Sequence, residues 1–237
     1  MIAIPKAPAD RPAVVWKYAA SLDGRIAATD GSSRWITSSD SREDVHKLRA
    51  ACDAVVVGSG TQQADDPHLA VRHVDTGGEQ PARVVFDSHA KTPADARILD
   101  NIAPTIIVVA TDADASHLDD KADVVRVPRS AEGLDLAAAL AALRGRGIKS
   151  ILLEGGPTLA GSFLAAGLID RAGGQSRQAL ATVEQTLARR PKVSGGGAGQ
   201  VYLAPELARS FDTAEQIAEK AGDKFVTAER LLLALAM

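Results

Sequence analysis

The sequence predicts an α/β domain with a mainly parallel sheet flanked by helices, followed by an all-helical tail. First, short runs rich in Val and Ile alternate with helical stretches from Ala13 to about Arg171, as in sheets whose strands are buried on both faces. Second, hydrophobic residues make up 46% of the chain but aromatic ones only 3%, so aliphatic side chains must build the core. Third, no further strand is apparent after Arg171. We therefore predict two units, residues 1–171 and residues 172–237.

The predicted strands of the first unit are short, apolar and bounded by turn residues. They are Ala13–Tyr18, Ala54–Val57, Arg83–Phe86, Thr105–Ala110, Asp123–Val127 and Ser150–Leu153. Its predicted helices carry start or stop signals: an acidic capping-box spacing, terminal glycines, or proline in the first turn. They are Asp40–Ala51, Leu134–Arg144 and Pro157–Ala166.

The tail differs in character from the α/β region. Helices are predicted over Gln175–Arg190, Glu206–Lys220 and Thr227–Ala236, with a glycine-rich loop at Pro191–Gln200. Apolar stripes on such helices are more typical of a packed core than of a binding surface. The change of pattern at Asp170–Gly174 predicts a boundary between two units of different origin.

Charge and composition exclude several classes of partner. A net charge of −3 without a basic run gives no reason to expect nucleic acid or an anionic membrane, and no apolar stretch is long enough for a membrane span. The five histidines show no metal-ligand spacing, so no metal site is predicted. The single cysteine, Cys52, rules out an internal disulfide and fits a cytoplasmic location. A lone cysteine in a helical pattern is most often a core residue.

Three predicted strands run into polar or glycine-rich turns, where parallel sheets usually bind ligands. The turns are Val57–Thr61, Phe86–Ser88 and Leu153–Leu159. In the last turn two glycines open a helix, whose amide groups would suit a pyrophosphate. Neither glycine-rich turn has the spacing of a dinucleotide or phosphate-loop fingerprint. Glycines that serve turn geometry alone are therefore an equal alternative.

Charged residues also follow strands, at Ser21–Arg25 and at Asp65–Pro67. Asp-Gly and Asp-Pro are ordinary turn formers, so loop solvation is the simpler interpretation of both segments. Lys17 is less usual, because a lysine inside an apolar strand needs a partner or a ligand. An edge strand that faces water would explain Lys17 equally well.

Four motifs in order resemble the pyrimidine reductase domain of the bifunctional riboflavin-biosynthesis deaminase/reductase. They are Trp16–Ala27, Ser33–Ser38, Val57–Arg72 and Glu154–Leu159. The resemblance implies a dihydrofolate reductase-like fold, and reduction of the ribosyl side chain of 5-amino-6-(5-phosphoribosylamino)uracil to ribityl with NADPH. It also implies a homodimer. No zinc motif of the deaminase half lies upstream of Ala13.

The resemblance carries site roles onto matching positions of this chain. Those that would contact NADPH are Ala19, Trp35, Thr61, Asp65, Ser88, Gly155, Gly156, Pro157, Thr158, Leu159, Ala160, Gly161 and Ser162. Those that would contact the substrate are Lys17, Ser33, Arg49, Leu69, Arg72 and Glu154. The catalytic candidates are Lys17, Asp65 and Glu154, and the proton could come from Lys17, Asp65 or an ordered water. The two arginines could present fork-shaped donors to the 5-phosphate.

From about Gly174 the sequence is similar to the second half of the N-terminal domain of a Clp-type disaggregase chaperone. The segments that carry this are Gln178–Leu180, Arg190–Gly195, Ala204–Leu207, Ala221–Arg230 and Leu231–Leu235. Reductases of the first family continue past Asp170 with further strands, so we expect the sheet to lack its usual last strands. A chimera joined near Arg171 is the simplest account. Tail helices or a second chain would then cover the unpaired sheet edge.

Two functions from different classes follow from these resemblances. The leading hypothesis is an NADPH-dependent pyrimidine reductase. The alternative is a chimeric or truncated chain without turnover, which acts as a cofactor-binding scaffold with a helical protein-interaction module. Intact cofactor motifs favour the first hypothesis, whereas only half of the chaperone domain is present. NADPH and NADH both stay open, because no 2′-phosphate clamp can be identified.

Overall fold

The computed structural model describes residues 3–20, 39–131, 133–172, 205–220 and 226. The chain divides into two compact units. The first comprises Met1–Lys17 and Glu43–Ala172, and the second comprises Tyr18–Arg42 and Gly173–Met237. The predicted helices Gln175–Arg190 and Thr227–Ala236 lie outside the described residues.

The first unit is built on a sheet of seven described strands, in which every neighbouring pair is parallel. In chain order they are β1 (Ala13–Trp16), β2 (Ala54–Gly58), β3 (Ala82–Phe86), β4 (Thr105–Ala110), β5 (Asp123–Val127), β8 (Ser150–Leu153) and β9 (Arg171–Ala172). Their spatial order is β5-β4-β3-β2-β8-β1-β9. A separate antiparallel pair consists of β6 (Arg129–Ser130) and β7 (Gly133–Leu134). The predicted α/β fold with a parallel sheet is confirmed.

Five α-helices are described. They are α1 (Ser39–Ala51), α2 (Ser59–Asp65), α3 (Leu136–Gly145), α4 (Pro157–Ala165) and α5 (Pro205–Lys220). Two short 3-10 helices, Arg97–Leu99 and Ser116–Leu118, lie in the connections after β3 and β4. None of these helices combines the length and the apolarity needed to cross a membrane.

The structure corrects four details of the predicted elements. β1 ends at Trp16, so Lys17 follows the strand, although its amide still donates to the Leu153 carbonyl at 3.0 Å. The segment predicted as a loop after β2 is the helix α2. Leu134 belongs to β7, and α3 begins after Asp135, whose side chain accepts a hydrogen bond from the Ala138 amide. β9 is a strand where none was predicted.

The core covers both faces of the sheet, as the apolar strands require. On one face the strands pack with α3 and α4, through Leu140, Leu143 and Phe163. On the other face they pack with the two 3-10 segments, through Ile98 and Leu118. A small third cluster joins β1, β8 and Cys52.

The strand register brings several carboxyl ends to one edge of the sheet. Leu153 at the end of β8 lies beside Trp16 of β1 and Val56 of β2, and Gly58 lies beside Phe86 of β3. The residues that follow these strands therefore meet at that edge, where open parallel sheets bind ligands.

In the second unit, α5 confirms the helix predicted at Glu206–Lys220. Ala214 and Ala218 are buried, and Phe211 and Ile217 are half-buried. These residues recur at helical spacing, so α5 presents an apolar stripe that is packed rather than exposed.

Candidate functional site

Glu154 lies at the centre of the edge where the strands end. Its amide donates to the Val56 carbonyl at 2.8 Å, and so continues the hydrogen-bond ladder of β8 one residue past the strand. Lys17 continues β1 in the same way, through its bond to Leu153. The backbone therefore fixes where both side chains begin, and each extends beyond the end of a buried strand.

Arg49 of α1 binds the Glu154 carboxylate with two parallel hydrogen bonds. Nε donates to Oε1 at 2.7 Å, and Nη2 donates to Oε2 at 2.9 Å. The two side chains are only 13% and 10% exposed. Bidentate, charge-assisted pairs of this kind are the strongest hydrogen bonds that side chains make. Arg49 thus holds the carboxylate in one orientation.

Opposing effects set the ionisation of Glu154. Burial alone would raise the pKa of its carboxyl, but the hydrogen bonds and charge of Arg49, with the charges of Lys17 and His46, lower this pKa below its usual value. Burial acts against the guanidinium of Arg49 too, yet its bonds to Glu154 leave the Arg49 pKa raised. The pair is fully ionised at neutral pH.

Residues 69–73, which we call the strap, contact Arg49 and are held by side chains at three consecutive residues. Arg49 Nη1 donates to the Ala70 carbonyl at 3.1 Å. The Gln80 side chain accepts a hydrogen bond from the Val71 backbone amide at Oε1, at 2.8 Å, and its Nε2 donates to the Val71 carbonyl at 3.3 Å. The Arg72 amide donates to Nδ1 of His46 at 3.1 Å.

Both ends of the strap have left-handed backbone conformations. Leu69 has a φ of 57° and His73 a φ of 62°. A bulky residue such as leucine seldom adopts this conformation, and such strain persists only where surrounding contacts impose it. The Leu69 side chain is buried, whereas Arg72 is exposed.

The turn from β8 into α4 presents backbone amides without a side-chain cap. Gly156 is the N-cap of α4 and, because it has no side chain, provides no side-chain cap for the first turn of that helix. The Gly156 amide donates to Thr61 Oγ1 of α2 at 3.1 Å. A Cβ on Gly155 would lie 3.0 Å from Leu159 Cδ2, and one on Gly156 would lie 3.4 Å from Thr61 Oγ1. Such a glycine turn at a helix N-terminus suits a phosphate group.

A second polar group lies farther along the same edge, after β3. Arg129 donates to both carboxylate oxygens of Asp112, at 2.8 Å and 3.1 Å, and to the Ser88 carbonyl at 3.2 Å. Its side chain is 35% exposed. A cationic side chain is thereby fixed beside Ser88.

The structure brings together many of the residues predicted from sequence. Arg49 and Glu154 are paired, and the charge of Lys17 acts on Glu154. Thr61 bonds the turn at Gly156, and Pro157–Ser162 lie in α4. Asp65 is exposed as the last residue of α2, and Ala19 belongs to the second unit. Two predicted site residues lie outside the described range, Ser33 and Trp35.

Sequence reasoning missed His46. It lies one helical turn before Arg49 on α1, and this i, i+3 spacing is the signal that could have placed it on the same face. No metal site competes with this description: across the described ranges, no three His, Cys, Asp or Glu residues are grouped so as to hold a metal ion.

Comparison with known families gives two matches in succession. Residues 12–173 match the family described as the RibD C-terminal domain. Residues 160–237 match the family described as the Clp repeat (R) N-terminal domain. The two matches overlap at 160–173, the region that contains the predicted join.

Curated relatives come from the same two families, although one reductase match, over 87% of the chain, extends into the tail. A 2,5-diamino-6-ribosylamino-4(3H)-pyrimidinone 5′-phosphate reductase of Methanothermobacter thermautotrophicus is 43% identical over 164 residues, 68% of this chain and 74% of that protein. RibD of Mycobacterium tuberculosis is 38% identical over 208 residues, 87% of this chain and 52% of that protein. The chaperone protein ClpB of Rhodopseudomonas palustris is 61% identical over 90 residues, 38% of this chain and 10% of that protein. The chain thus spans about half the length of the RibD proteins.

Solved structures agree with the sequence relatives. RibD of Acinetobacter baumannii superposes with a TM-score of 0.60 at 36% identity, over 69% of this chain and 45% of that one. The Saccharomyces cerevisiae reductase Rib7 superposes with a TM-score of 0.57 at 22% identity, over 71% and 74% of the two chains, and this likeness supports the fold alone.

Proposed function

Because this chain belongs to the RibD C-terminal domain family through residues 12–173, we propose that it reduces the ribosyl side chain of 5-amino-6-(5-phosphoribosylamino)uracil to ribityl. The names of its relatives support a phosphoribosylamino-pyrimidine as substrate, in either the diamino or the uracil form. The observation that carries the proposal is the buried Arg49–Glu154 pair, which lies beside the strap and the uncapped turn of α4.

On the substrate side, the structure favours different tasks for the two arginines. Three donors of Arg49 are already engaged by Glu154 and Ala70, so Arg49 acts as a positioning residue for the carboxylate. Arg72 is exposed on the strap and is the better ligand for a 5-phosphate. A fixed, ionised Glu154 can accept hydrogen bonds from the pyrimidine ring or from the sugar hydroxyls.

On the cofactor side, the glycine turn fits a dinucleotide. The uncapped amides at the start of α4 would hold the pyrophosphate, and Thr61 orients this turn through its bond to Gly156. A bound nicotinamide cofactor supplies the hydride for the reduction. We infer NADPH rather than NADH from the family resemblance. Arg129, which pairs with Asp112 and bonds the Ser88 carbonyl, is the candidate cation for the additional phosphate.

The reaction also needs a proton, and Lys17 is the donor that the geometry favours. Lys17 directly follows β1 at the end of the sheet where Glu154 lies, and its charge lowers the pKa of Glu154. Asp65, the other side-chain candidate, is exposed at the end of α2. In this proposal the Lys17 ammonium protonates the nitrogen or oxygen of the opened sugar, while the sugar carbon receives the hydride.

Steady-state kinetics of Glu154→Gln tests the proposal. We expect turnover of the ribosylamino-pyrimidine to fall about 100-fold, while the Kd for NADPH, measured by calorimetry, changes little. Glu79→Gln is the matched control, because Glu79 is an exposed glutamate in a loop. Equal losses of turnover and NADPH affinity in Glu154→Gln would contradict its assignment to the substrate. A folded wild-type chain that binds NADPH but reduces neither pyrimidine would refute the reductase function.

The match of residues 160–237 to the Clp repeat domain favours a second candidate, a helical protein-interaction module. The resemblance stated above implies binding of substrate proteins or adaptors through such helices. Fluorescently labelled casein, as a model unfolded protein, tests this candidate. Saturable binding by the full chain, abolished by excess unlabelled casein, would support a module of this kind; absence of binding would count against it.

The homodimer, the cytoplasmic location and the unit boundary at Arg171 stay predictions. A dimer would cover the edge of the sheet next to β9. Sedimentation equilibrium of the full chain measures its mass in solution, and a monomeric mass would contradict the dimer.

A further inference from the structure

The strap is strained and yet held at every residue between its ends. Its two left-handed residues, Leu69 and His73, flank three residues, each of which has at least one backbone group bonded to a side chain. One of these partners, Arg49, already has a task at Glu154. His46 is different, because its hydrogen bond to the Arg72 amide is the interaction that ties this exposed arginine to α1.

The geometry fixes the protonation state in which His46 can do this. Nδ1 accepts the hydrogen bond from the Arg72 amide, so the ring must be neutral with its proton on Nε2. A second proton on Nδ1 would place a donor against a donor. The ring also meets His73 edge to face, with 6.3 Å between the centroids and an interplanar angle of 87°.

Burial and the cations around His46 also favour the neutral ring. Burial, then the cations Arg49 and Arg72 with a smaller effect of His73, lower the pKa of the imidazole, and Glu154 opposes them. A histidine in this setting stays neutral at physiological pH and accepts a second proton only in acid.

We propose that His46 is a positioning residue, which holds the strap so that Arg72 can bind the substrate phosphate and which releases the strap when it is protonated. The phosphate part of this inference rests on the proposed function; the hold on the Arg72 amide does not. His46 contacts neither substrate nor cofactor in this scheme, and it acts through the backbone of Arg72.

The pH dependence has a sign that separates this role from simple electrostatics. A protonated His46 near a phosphate would attract it, so a purely electrostatic role makes binding tighter in acid. A positioning role makes binding weaker in acid, because protonation breaks the bond to Arg72. The transition is expected below the ordinary histidine pKa of about 6.5, since the pKa of His46 is lowered.

Two variants at position 46 and one control test the proposal. His46→Leu removes the acceptor, whereas His46→Asn keeps an oxygen near the position of Nδ1 but does not titrate. Lys47→Gln is the control, because Lys47 is the exposed neighbour on the same helix and pairs only with Glu43 and Asp44 in the described part of the chain. The ligand is ribose 5-phosphate, whose Kd can be measured without turnover.

We expect the Kd for ribose 5-phosphate to rise about 3- to 10-fold in His46→Leu at pH 7.5, the loss of one hydrogen bond, with NADPH affinity unchanged. Protection of the Arg72 amide from hydrogen exchange should fall by a similar factor. In the wild type, Kd should rise between pH 7 and pH 5.5 more steeply than in His46→Asn. Titration of the phosphate itself is common to both proteins and cancels in this comparison.

Each result decides a separate part of the inference. Unchanged Arg72 exchange in His46→Leu would overturn the hold on the strap. Lost protection with unchanged Kd for ribose 5-phosphate would overturn the link to phosphate binding. The same pH dependence in wild type and His46→Asn would overturn the protonation step. Absence of pyrimidine reduction by the wild type would refute the proposed function alone, since none of these three measurements needs turnover.

Discussion

Removal of Arg49 should destabilise the first unit strongly, because it leaves the Glu154 carboxylate buried without its partner. The two side chains are about one-tenth exposed and joined by two charge-assisted hydrogen bonds. Breaking a buried pair from one side typically costs about 3–5 kcal/mol, whereas replacing both partners by apolar residues is often nearly neutral. We therefore expect Arg49→Met to lose about 3 kcal/mol of unfolding free energy. Adding Glu154→Leu should recover much of the lost unfolding free energy.

The free energy of unfolding of the two single variants and the double variant is measured in urea. Trp16 fluorescence is the probe, in a Trp35→Phe background, so that β1 reports on the first unit. The coupling energy at pH 7 should be about 2–3 kcal/mol. Because the pKa of Glu154 is lowered in the folded state, the pair stabilises the protein above the unfolded pKa of about 4.3. That stability is lost as the pH falls through the folded pKa. A coupling energy below about 0.5 kcal/mol, as in exposed pairs, would refute this reasoning.

Three further predictions concern other parts of the first unit. Burial, with the nearby carboxylates, raises the pKa of Cys52 to about 12, so a disulfide reagent at pH 8 should label the native thiol at least about 100-fold more slowly than the urea-unfolded one; equal rates would contradict its burial. Arg83→Met should cost about 2–4 kcal/mol in urea unfolding, because this fully buried guanidinium bonds the carboxylate and the carbonyl of Asp100. The same variant should raise the Asp100 pKa from about 2, as followed by NMR titration. Gly155→Ala should weaken NADPH binding in calorimetry because its Cβ would lie 3.0 Å from Leu159 Cδ2, and Leu159→Ala in the same chain should restore it; no change in either variant would show that the turn tolerates a side chain.

The strands could be predicted because their apolar, β-branched runs are a local property. The helix α2 could not be predicted, because its N-cap is Gly58 and its first two residues are Ser59 and Gly60, and glycine disfavours a helix. Tertiary packing outweighs that preference: Gln62 on α2 is buried. β9 was missed because two residues carry no periodic signal, and its pairing with Val15 is decided by the distant β1.

Each residue of the site could be predicted by itself, but not which of these residues contact each other. Arg49 and Glu154 came from the family resemblance, yet the residues are 105 positions apart and only the strand order shows that they pair. The same holds for His46 and Arg72, which the strap brings together. No sequence rule predicts a left-handed leucine at position 69, because leucine disfavours that conformation and only the surrounding contacts impose it.

The position of β1 in the sheet constrains the order in which the domain can form during synthesis. β2, β3, β4 and β5 are neighbours in both sequence and space, so they can pair as soon as they leave the ribosome. β1 is made first, but its partners are β8 and β9. At roughly 5–20 residues per second, β1 waits about 7–27 s for β8. During that interval the apolar run Ala13–Val15 has no strand beside it. The first unit is complete only when the chain has been synthesised through β9, which directly follows Asp170, and the Asp170 carboxylate accepts a hydrogen bond from the Val14 amide at 2.8 Å.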